Sequence, residues 1–438
     1  MKYHIIILSV LLALVPACSE DEDPPTNNGT GTGTGSVDDD KSPSPPEPIK
    51  LAWPLAHNLD DGLFLMNYFD NQSGSGKRDH MCNGHTYDGH TGIDISAYSF
   101  QEMDRGYPIL SATDGEVAFV DDTNYDRTYQ TPYTHDPNMI QVKYADGRSL
   151  WYAHLRTNSV SVKVGDQVKK GQILGMIGSS GATPFPHLHF EIREKNNTPR
   201  DPFDGNCNSF VGIWEEQTEY KGSDEVKIYD FDITLDNIPN GTYQLESALK
   251  IRKEEPARPA IVSYDESNIK VWLFYQGAFG DYNVIINKPD GSEFISKSTT
   301  IGLRSFAWDV HEFEFSSVTS DDQGIWELIV EFQGIKKVIN FEVGENTDYG
   351  PRFYPLRGKT IKLEKTNTSS FSFQNHNADD LTFELLNAPS GTIIEGNSIS
   401  IGSSQNSRNH FFELVATDAI GRTDTMFFHT IDYSKPPK

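Results

Sequence analysis

Apolar and polar residues alternate along this chain in short runs, and almost nowhere do apolar positions recur at helical spacing. Gly115-Glu116-Val117-Ala118-Phe119-Val120, Met139-Ile140-Gln141-Val142-Lys143-Tyr144 and Ser149-Leu150-Trp151-Tyr152 read as strands. Ala145-Asp146-Gly147-Arg148 reads as the hairpin turn between the last two. Beyond Tyr220 the alternation takes over completely. Lys270-Val271-Trp272-Leu273-Phe274-Tyr275, Tyr282-Asn283-Val284-Ile285-Ile286 and Ile325-Trp326-Glu327-Leu328-Ile329-Val330 predict strands of a sandwich ending near Val343. A further unit follows from Asn346, carrying Leu381-Thr382-Phe383-Glu384-Leu385-Leu386 and Phe411-Phe412-Glu413-Leu414-Val415-Ala416-Thr417. No 3.6-residue periodicity is sustained long enough to demand a long helix, so the expected class is mainly β.

The amino terminus breaks this pattern. Lys2 precedes an apolar stretch from Ile5 to Val15, too short to cross a bilayer but suited to a signal-peptide core. Val15-Pro16-Ala17-Cys18 resembles the lipobox of bacterial lipoproteins, in which the Cys becomes the lipidated first residue of the mature chain. Ser19-Glu20-Asp21-Glu22-Asp23 resembles the acidic tag that sends some diderm lipoproteins to the outer face of the outer membrane. These resemblances imply export, a lipid on Cys18 and anchoring at the outer membrane. From Pro24 to about Lys50 the chain is Pro, Gly, Thr, Ser and Asp with almost nothing to bury, which reads as a flexible tether.

Length and composition narrow the picture further. At 438 residues the chain exceeds what one hydrophobic core usually serves. With 25 Phe and 19 Tyr it has ample material to bury, so global disorder is excluded. The formal charge of -26, from 37 basic against 63 acidic residues, argues against nucleic acid as a partner, because phosphate binding draws on clustered Lys and Arg. With Cys18 set aside for lipid, Cys82 and Cys207 remain, an even number in an exported chain, and are expected to pair.

Three histidine motifs carry the candidate chemistry. In Tyr87-Asp88-Gly89-His90-Thr91-Gly92-Ile93-Asp94-Ile95, His90 and Asp94 lie four residues apart. Fully extended, that spacing spans roughly 13 Å, too far for two ligands of one zinc, so the backbone must bend, with Gly92 supplying the freedom. In Phe185-Pro186-His187-Leu188-His189-Phe190-Glu191-Ile192 the alternation predicts a strand. His187 and His189 then share one face while Leu188 and Phe190 enter the core. Between these motifs, Trp151-Tyr152-Ala153-His154-Leu155 ends an aromatic strand on a histidine. His80, His85 and His135 are expected to be loop histidines; Glu191 lies on the same strand face as His187 and His189, where it could orient a ligand, and is expected rather to be a solvated Glu at the strand end.

Taken together, the three motifs resemble the lysostaphin-type, or M23, zinc metallopeptidases: a His-x-x-x-Asp motif, a middle His after a Tyr-x strand, and a final His-x-His. The match continues through Val162-Lys163-Val164-Gly165-Asp166-Gln167-Val168-Lys169-Lys170-Gly171-Gln172-Ile173-Leu174-Gly175, similar to the family's glycine-punctuated hairpin. Gly178-Ser179-Ser180-Gly181 resembles its following turn and Pro199-Arg200-Asp201-Pro202 its closing segment. The resemblance implies that His90, Asp94 and His189 bind one Zn2+ while His154 and His187 are catalytic. It further implies a peptidoglycan peptide as substrate, in cross-links or stems, and a metal-activated water as nucleophile. Two departures stand out. Ala182-Thr183-Pro184-Phe185-Pro186 replaces the family's small, polar approach to the His-x-His strand, and a Tyr-, Thr- and Asp-rich stretch between Asp122 and Asp136 reads as an extended loop.

The expected organisation is a signal peptide (1–17), a linker (18–50), an M23-like antiparallel β domain (51–220) and two β-sandwiches (221–345 and 346–438). The first sandwich is expected to be immunoglobulin-like and the second resembles an immunoglobulin- or cadherin-like module. A non-catalytic envelope protein or amidase activator on the same fold is the alternative, and retention of all five polar positions weighs against it. A biotinyl or lipoyl carrier barrel would need an exposed Lys in a tight turn between two halves, and none is evident.

Overall fold

The computed structural model describes residues 50–129, 135–222, 225–242, 248, 251, 253, 255–277, 280–302, 306–354, 356–363, 366–374, 376–402 and 407–436. The signal segment, Cys18 and the tether up to residue 49 lie outside the described residues. The fold is mainly β.

The first part of the chain forms β1 (Leu63–Asn67), β2 (Ile93–Ala97), the short helix α1 (Phe100–Arg105), β3 (Pro108–Leu110), β4 (Gly115–Asp121), β5 (Met139–Lys143), β6 (Ser149–Ala153), β7 (Gln167–Val168), β8 (Ile173–Met176), β9 (His187–Arg193) and β10 (Pro199–Arg200). The main sheet has the order β1-β2-β9-β6-β5-β4-β7, with β10 beside β9. The expected hairpin closes between β5 and β6, where Gly147 takes a positive φ of 90°. The stretch from Val162 to Gly175 does not fold as a hairpin on itself. Instead β7 pairs with β4 in the main sheet and β8 pairs with β3 in a separate two-stranded sheet.

Period-2 alternation explains how this sheet is covered on both faces. On β1, Leu63 and Leu65 enter the core shared with Ile95, Leu188, Phe190 and Ile192. Their neighbours Phe64 and Met66 point the other way and are equally buried, packed with Trp272, Phe274 and Trp308 from further along the chain.

Those partners belong to a pair of sheets built from β11 (Lys227–Thr234), β12 (Gly241–Thr242), β13 (Ile261–Ser263), β14 (Asn268–Gln276), β15 (Gly280–Asn287), β16 (Glu293–Ile301), β17 (Ala307–Glu314), β18 (Gly324–Phe332) and β19 (Ile335–Gly344). The sheets run β11-β14-β17-β12 and β13-β19-β18-β15-β16, and enclose a core that includes Val271, Leu273, Tyr282 and Trp326. On β14, Val271 and Leu273 face this core while Trp272 and Phe274 face the first unit. A third core around Phe353, Ile361, Phe412, Leu414 and Phe428 serves the last strands, among them Gly358–Lys362, Asn409–Thr417 and Thr423–Ile431. Asp104 of α1 joins it to the first unit. Its carboxylate accepts from Arg127 at 2.6 Å, Arg156 at 3.2 Å and the Arg357 backbone N–H at 3.0 Å.

Candidate metal centre and active site

Strand pairing assembles the site. β9 lies between β2 and β6, so Asp94 pairs with His189 on one side and Ala153 pairs with His189 on the other. His154 follows Ala153 immediately and leaves the strand with a positive φ of 64°, an uncommon conformation for a residue with a Cβ. His187 lies opposite Ser96 on the same strand, and its ring shares the face of His189 while Leu188 and Phe190 are buried in the core.

His90 reaches the group from a turn, not from the strand. Asp88 and Gly89 form a turn just before His90, where Gly89 has a φ of 80° and the His90 N–H donates to the Tyr87 carbonyl. Asp70 holds this turn, accepting from the Gly89 N–H at 2.9 Å while its own N–H donates to the His90 carbonyl. The chain bends between His90 and Asp94 at Gly92, as expected, and this glycine has a second role. It serves close approach: a Cβ there would stand 2.6 Å from the Phe190 carbonyl oxygen and 2.8 Å from the His189 ring.

The donor atoms of His90, Asp94 and His189 lie within 4.8 Å of one another. His90 Nε2 is 3.1 Å from Asp94 Oδ1, His189 Nδ1 is 2.9 Å from the same oxygen, and the two nitrogens are 3.3 Å apart. Tetrahedral zinc with ligands at about 2.0–2.1 Å sets its donors roughly 3.3 Å apart, so the group fits such an ion. The neighbours orient each donor. His90 Nδ1–H donates to the Tyr68 carbonyl at 2.6 Å, which leaves Nε2 bare. Asn67 donates to Asp94 Oδ2 at 2.9 Å, leaving Oδ1 for the centre. His189 turns Nε2 toward Glu191, 3.9 Å away.

The catalytic candidates show the same device. His154 Nδ1–H donates to the Ser180 carbonyl at 2.7 Å, and His187 Nδ1–H donates to the Phe185 carbonyl at 2.9 Å. Because a carbonyl only accepts, both imidazoles carry a proton on Nδ1, which leaves Nε2 as the atom available to other groups. Their ring centroids are 4.5 Å apart, and His187 Nε2 lies 3.4 Å from Asp94 Oδ1. The description "Peptidase family M23" matches residues 88–202, which contain all five of these residues.

The chain carries an M23 peptidase domain. Curated relatives align over about a quarter to a third of the chain. The Caulobacter vibrioides cell division protein DipM is 33% identical over 144 residues, covering 33% of this chain and 18% of that protein. The Staphylococcus capitis glycyl-glycine endopeptidase ALE-1 is 37% identical over 26% of this chain and 28% of its own length. The Neisseria meningitidis serogroup B DD-carboxypeptidase/endopeptidase Mpg is 31% identical over 27% of this chain and 23% of its own. The match thus spans less than a third of each relative.

Electrostatics within the M23 site follow from burial and mutual contact. Burial opposes ionisation of Asp94, but the charges of His90 and His187 and hydrogen bonds from His187 and His189 outweigh it and hold the carboxyl well below its usual range. His189 goes the other way: despite burial, hydrogen bonds and charge from Asp94 and Glu191 raise it to about 9 in the metal-free protein. Burial, reinforced by His187 and His189, lowers His154 to about 3 and keeps it neutral.

Several features of the site have no legible mark in sequence. Glu191 is buried, not solvated, because Arg193 donates to both of its oxygens at 3.0 and 3.1 Å and lies over Trp151. Asn67 is a polar residue closing an apolar run, a signal that identifies a strand end and nothing more specific. His80 and His85 lie in loops as expected, but they are buried around Tyr68 and do not reach the donor group, while His135 is exposed. Cys82 and Cys207 form the expected disulfide, fastening the loop that precedes His90 to the segment after β10.

Proposed function

We propose that this protein is a zinc-dependent endopeptidase that hydrolyses peptide bonds in peptidoglycan cross-links or stems. It acts outside the cytoplasm on a tether lipidated at Cys18. The observation that carries the reading is the juxtaposition of a three-donor group with two imidazoles that lie 4.5 Å apart and commit their Nδ1–H groups to backbone carbonyls. His90 Nε2, Asp94 Oδ1 and His189 Nδ1 would hold the ion, leaving one coordination position open. When bound, Zn2+ supplies a Lewis acid that polarises the scissile carbonyl and makes water more acidic. His154 and His187 supply the proton chemistry at Nε2. One takes a proton from the attacking water, and the other donates to the oxyanion or the departing amine. Both stay aligned during this exchange because Ser180 and Phe185 hold their Nδ1–H groups.

The names of ALE-1 and Mpg, both endopeptidases, favour peptide bonds as the substrate class. DipM is named for cell division and not for an activity, which keeps a non-catalytic envelope role as the second reading. Incubation of the zinc-loaded mature protein with defined muropeptides, read by mass, separates the two. Cleavage that stops on chelation and returns with zinc is the expected result. Zinc-loaded protein that binds muropeptides and cleaves none would establish the second reading.

A further inference from the structure

The departure at Ala182-Thr183-Pro184-Phe185-Pro186 acquires a physical reason once the sandwich is in view. Phe185 is 1% exposed although its segment belongs to no strand or helix. Its ring is not buried in the core of the peptidase domain. It packs instead with Phe64 of β1, at 6.1 Å between centroids, and with Trp308 of β17, at 5.4 Å. Trp308 is itself fixed, lying parallel to Phe274 at 4.4 Å and edge-on to Phe306 at 5.7 Å. The outer face of the sandwich thus closes over the one segment that leads into the His-x-His strand.

What that segment holds is the orientation of His187. Strand pairing fixes the His187 backbone, through the His187 N–H to the Gly178 carbonyl and the register with Ser96. It does not fix the ring. The ring is set by its Nδ1–H bond to the Phe185 carbonyl, a group that also accepts from Thr183 Oγ1 at 2.8 Å. The Phe185 N–H in turn donates to Thr183 Oγ1 at 3.1 Å, so carbonyl, hydroxyl and imidazole form one small network hung on the Phe185 backbone. The side chain that anchors this backbone is the one wedged against Trp308.

We propose that Trp308 is a positioning residue for His187, acting through Phe185, so that the sandwich completes the active site of the peptidase domain. The proposal rests on the peptidase reading for its kinetic consequence, and on contacts alone for its structural one. Removing the indole leaves the Phe185 ring facing a void. The Phe185 carbonyl then moves and the imidazole loses its fixed acceptor. Misplacement of a reacting group on the ångström scale costs about a hundredfold in rate. The metal donors are held by Tyr68, Asn67 and Glu191, and the network meets them only where His187 Nε2 lies 3.4 Å from Asp94 Oδ1, a contact that zinc on that oxygen would replace, so zinc binding should be spared.

The test uses the full mature chain with Trp308→Ala, Trp308→Leu and Trp308→Phe. Zinc content, thermal unfolding, muropeptide kinetics and the histidine ring signals of isotope-labelled protein are measured for each, with the His187 signal assigned from a His187→Gln variant. Expected are full zinc content, kcat lowered about tenfold to a hundredfold with KM within about twofold, and recovery in Trp308→Phe. The His187 ring signal should shift or broaden while those of His90 and His189 stay. Folded, zinc-loaded Trp308→Ala or Trp308→Leu with wild-type kcat and an unmoved His187 signal would overturn the proposal. So would a kcat loss that follows zinc loss. Should the wild-type chain cleave nothing, the peptidase reading fails, and the His187 signal still decides whether Trp308 positions that ring.

Discussion

The rings of His154 and His187 lie 4.5 Å apart, and each commits its Nδ1–H to a backbone carbonyl. Neither ring is among the three residues whose donor atoms cluster for a metal. The two groups should therefore separate by mutation. His154→Gln is expected to retain zinc and lose about 10²- to 10⁴-fold in kcat, the usual contribution of a positioned acid or base. His189→Ala is expected to lose both metal and activity. Zinc analysis beside muropeptide kinetics checks both, and release of zinc by His154→Gln would contradict this division of roles.

Gly92 offers a test that touches no ligand. A methyl group there meets the Phe190 carbonyl oxygen at 2.6 Å and His189 Cε1 at 2.8 Å, and the carbonyl cannot yield without breaking the β2 to β9 pairing. Gly92→Ala should displace the His189 ring and weaken zinc binding by about tenfold or more, as loss of a supporting contact does at other metal sites. Competition against a fluorescent chelator measures it, and unchanged affinity would show that the strand can shift at no cost.

Strand identity and the five site residues were legible because period-2 alternation forces side chains onto faces, and His187 with His189 can share a face only on a strand. The partners that tune them were not legible. The acceptors of His90, His154 and His187 are the carbonyls of Tyr68, Ser180 and Phe185, and a carbonyl is present at every position whatever the side chain. Gly92 signals conformational freedom and lack of bulk with the same letter; the bend was legible, and only the neighbouring strand shows that the lack of bulk is needed as well. Phe185 stood out in sequence only as part of a departure from the family's pattern. Its meaning lay about a hundred residues downstream, in Trp308, beyond any local pattern.

The disulfide fastens a long stretch of chain. Cys82 and Cys207 are separated by 125 residues, and next to them the Cys207 N–H donates to the His80 carbonyl at 2.8 Å. Closing so long a loop lowers the entropy of the unfolded chain, so the double variant Cys82→Ser, Cys207→Ser should lose about 2–5 kcal/mol in urea unfolding. The loop it releases leads to His90, so zinc affinity should fall in the same variant. Stability within error of wild type would mean that the Asp79 and Tyr68 contacts hold this loop unaided.

Asp104 is a carboxylate shared by Arg127 and Arg156, and it also accepts the Arg357 N–H from the last unit. Its side chain is 2% exposed and that of Arg156 is 7%. Removing the charge strands two guanidinium groups at a buried junction, a change that costs about 3–5 kcal/mol elsewhere. Asp104→Ala should therefore expose the chain between the second and third cores to limited proteolysis while muropeptide cleavage by the intact fraction continues. Protease resistance equal to wild type would show that Lys362 with Asp122 and Arg408 with the Ser161 carbonyl suffice to hold the junction.

Metal loading should depend on pH through His189. Its ring lies between two carboxylates, with Nδ1 2.9 Å from Asp94 and Nε2 3.9 Å from Glu191, and against the effect of burial they raise it to about 9. In the metal-free protein both ring nitrogens are therefore protonated at neutral pH, yet Nδ1 must be bare to bind. Binding displaces that proton, so apparent zinc affinity should rise about tenfold per pH unit from roughly pH 6 to 8 and flatten toward 9. Glu191→Gln removes one of the two supporting charges and should move the flattening to lower pH. The sign for stability is opposite. A folded pKa of about 9 against the ordinary 6.5 stabilises the metal-free fold below 6.5, and that contribution fades as pH climbs through 9. Raising the pH should thus weaken the metal-free protein while strengthening the zinc complex. Chelator competition and thermal unfolding across the same pH series check the two slopes, and a zinc affinity independent of pH would show that no proton leaves His189 on binding.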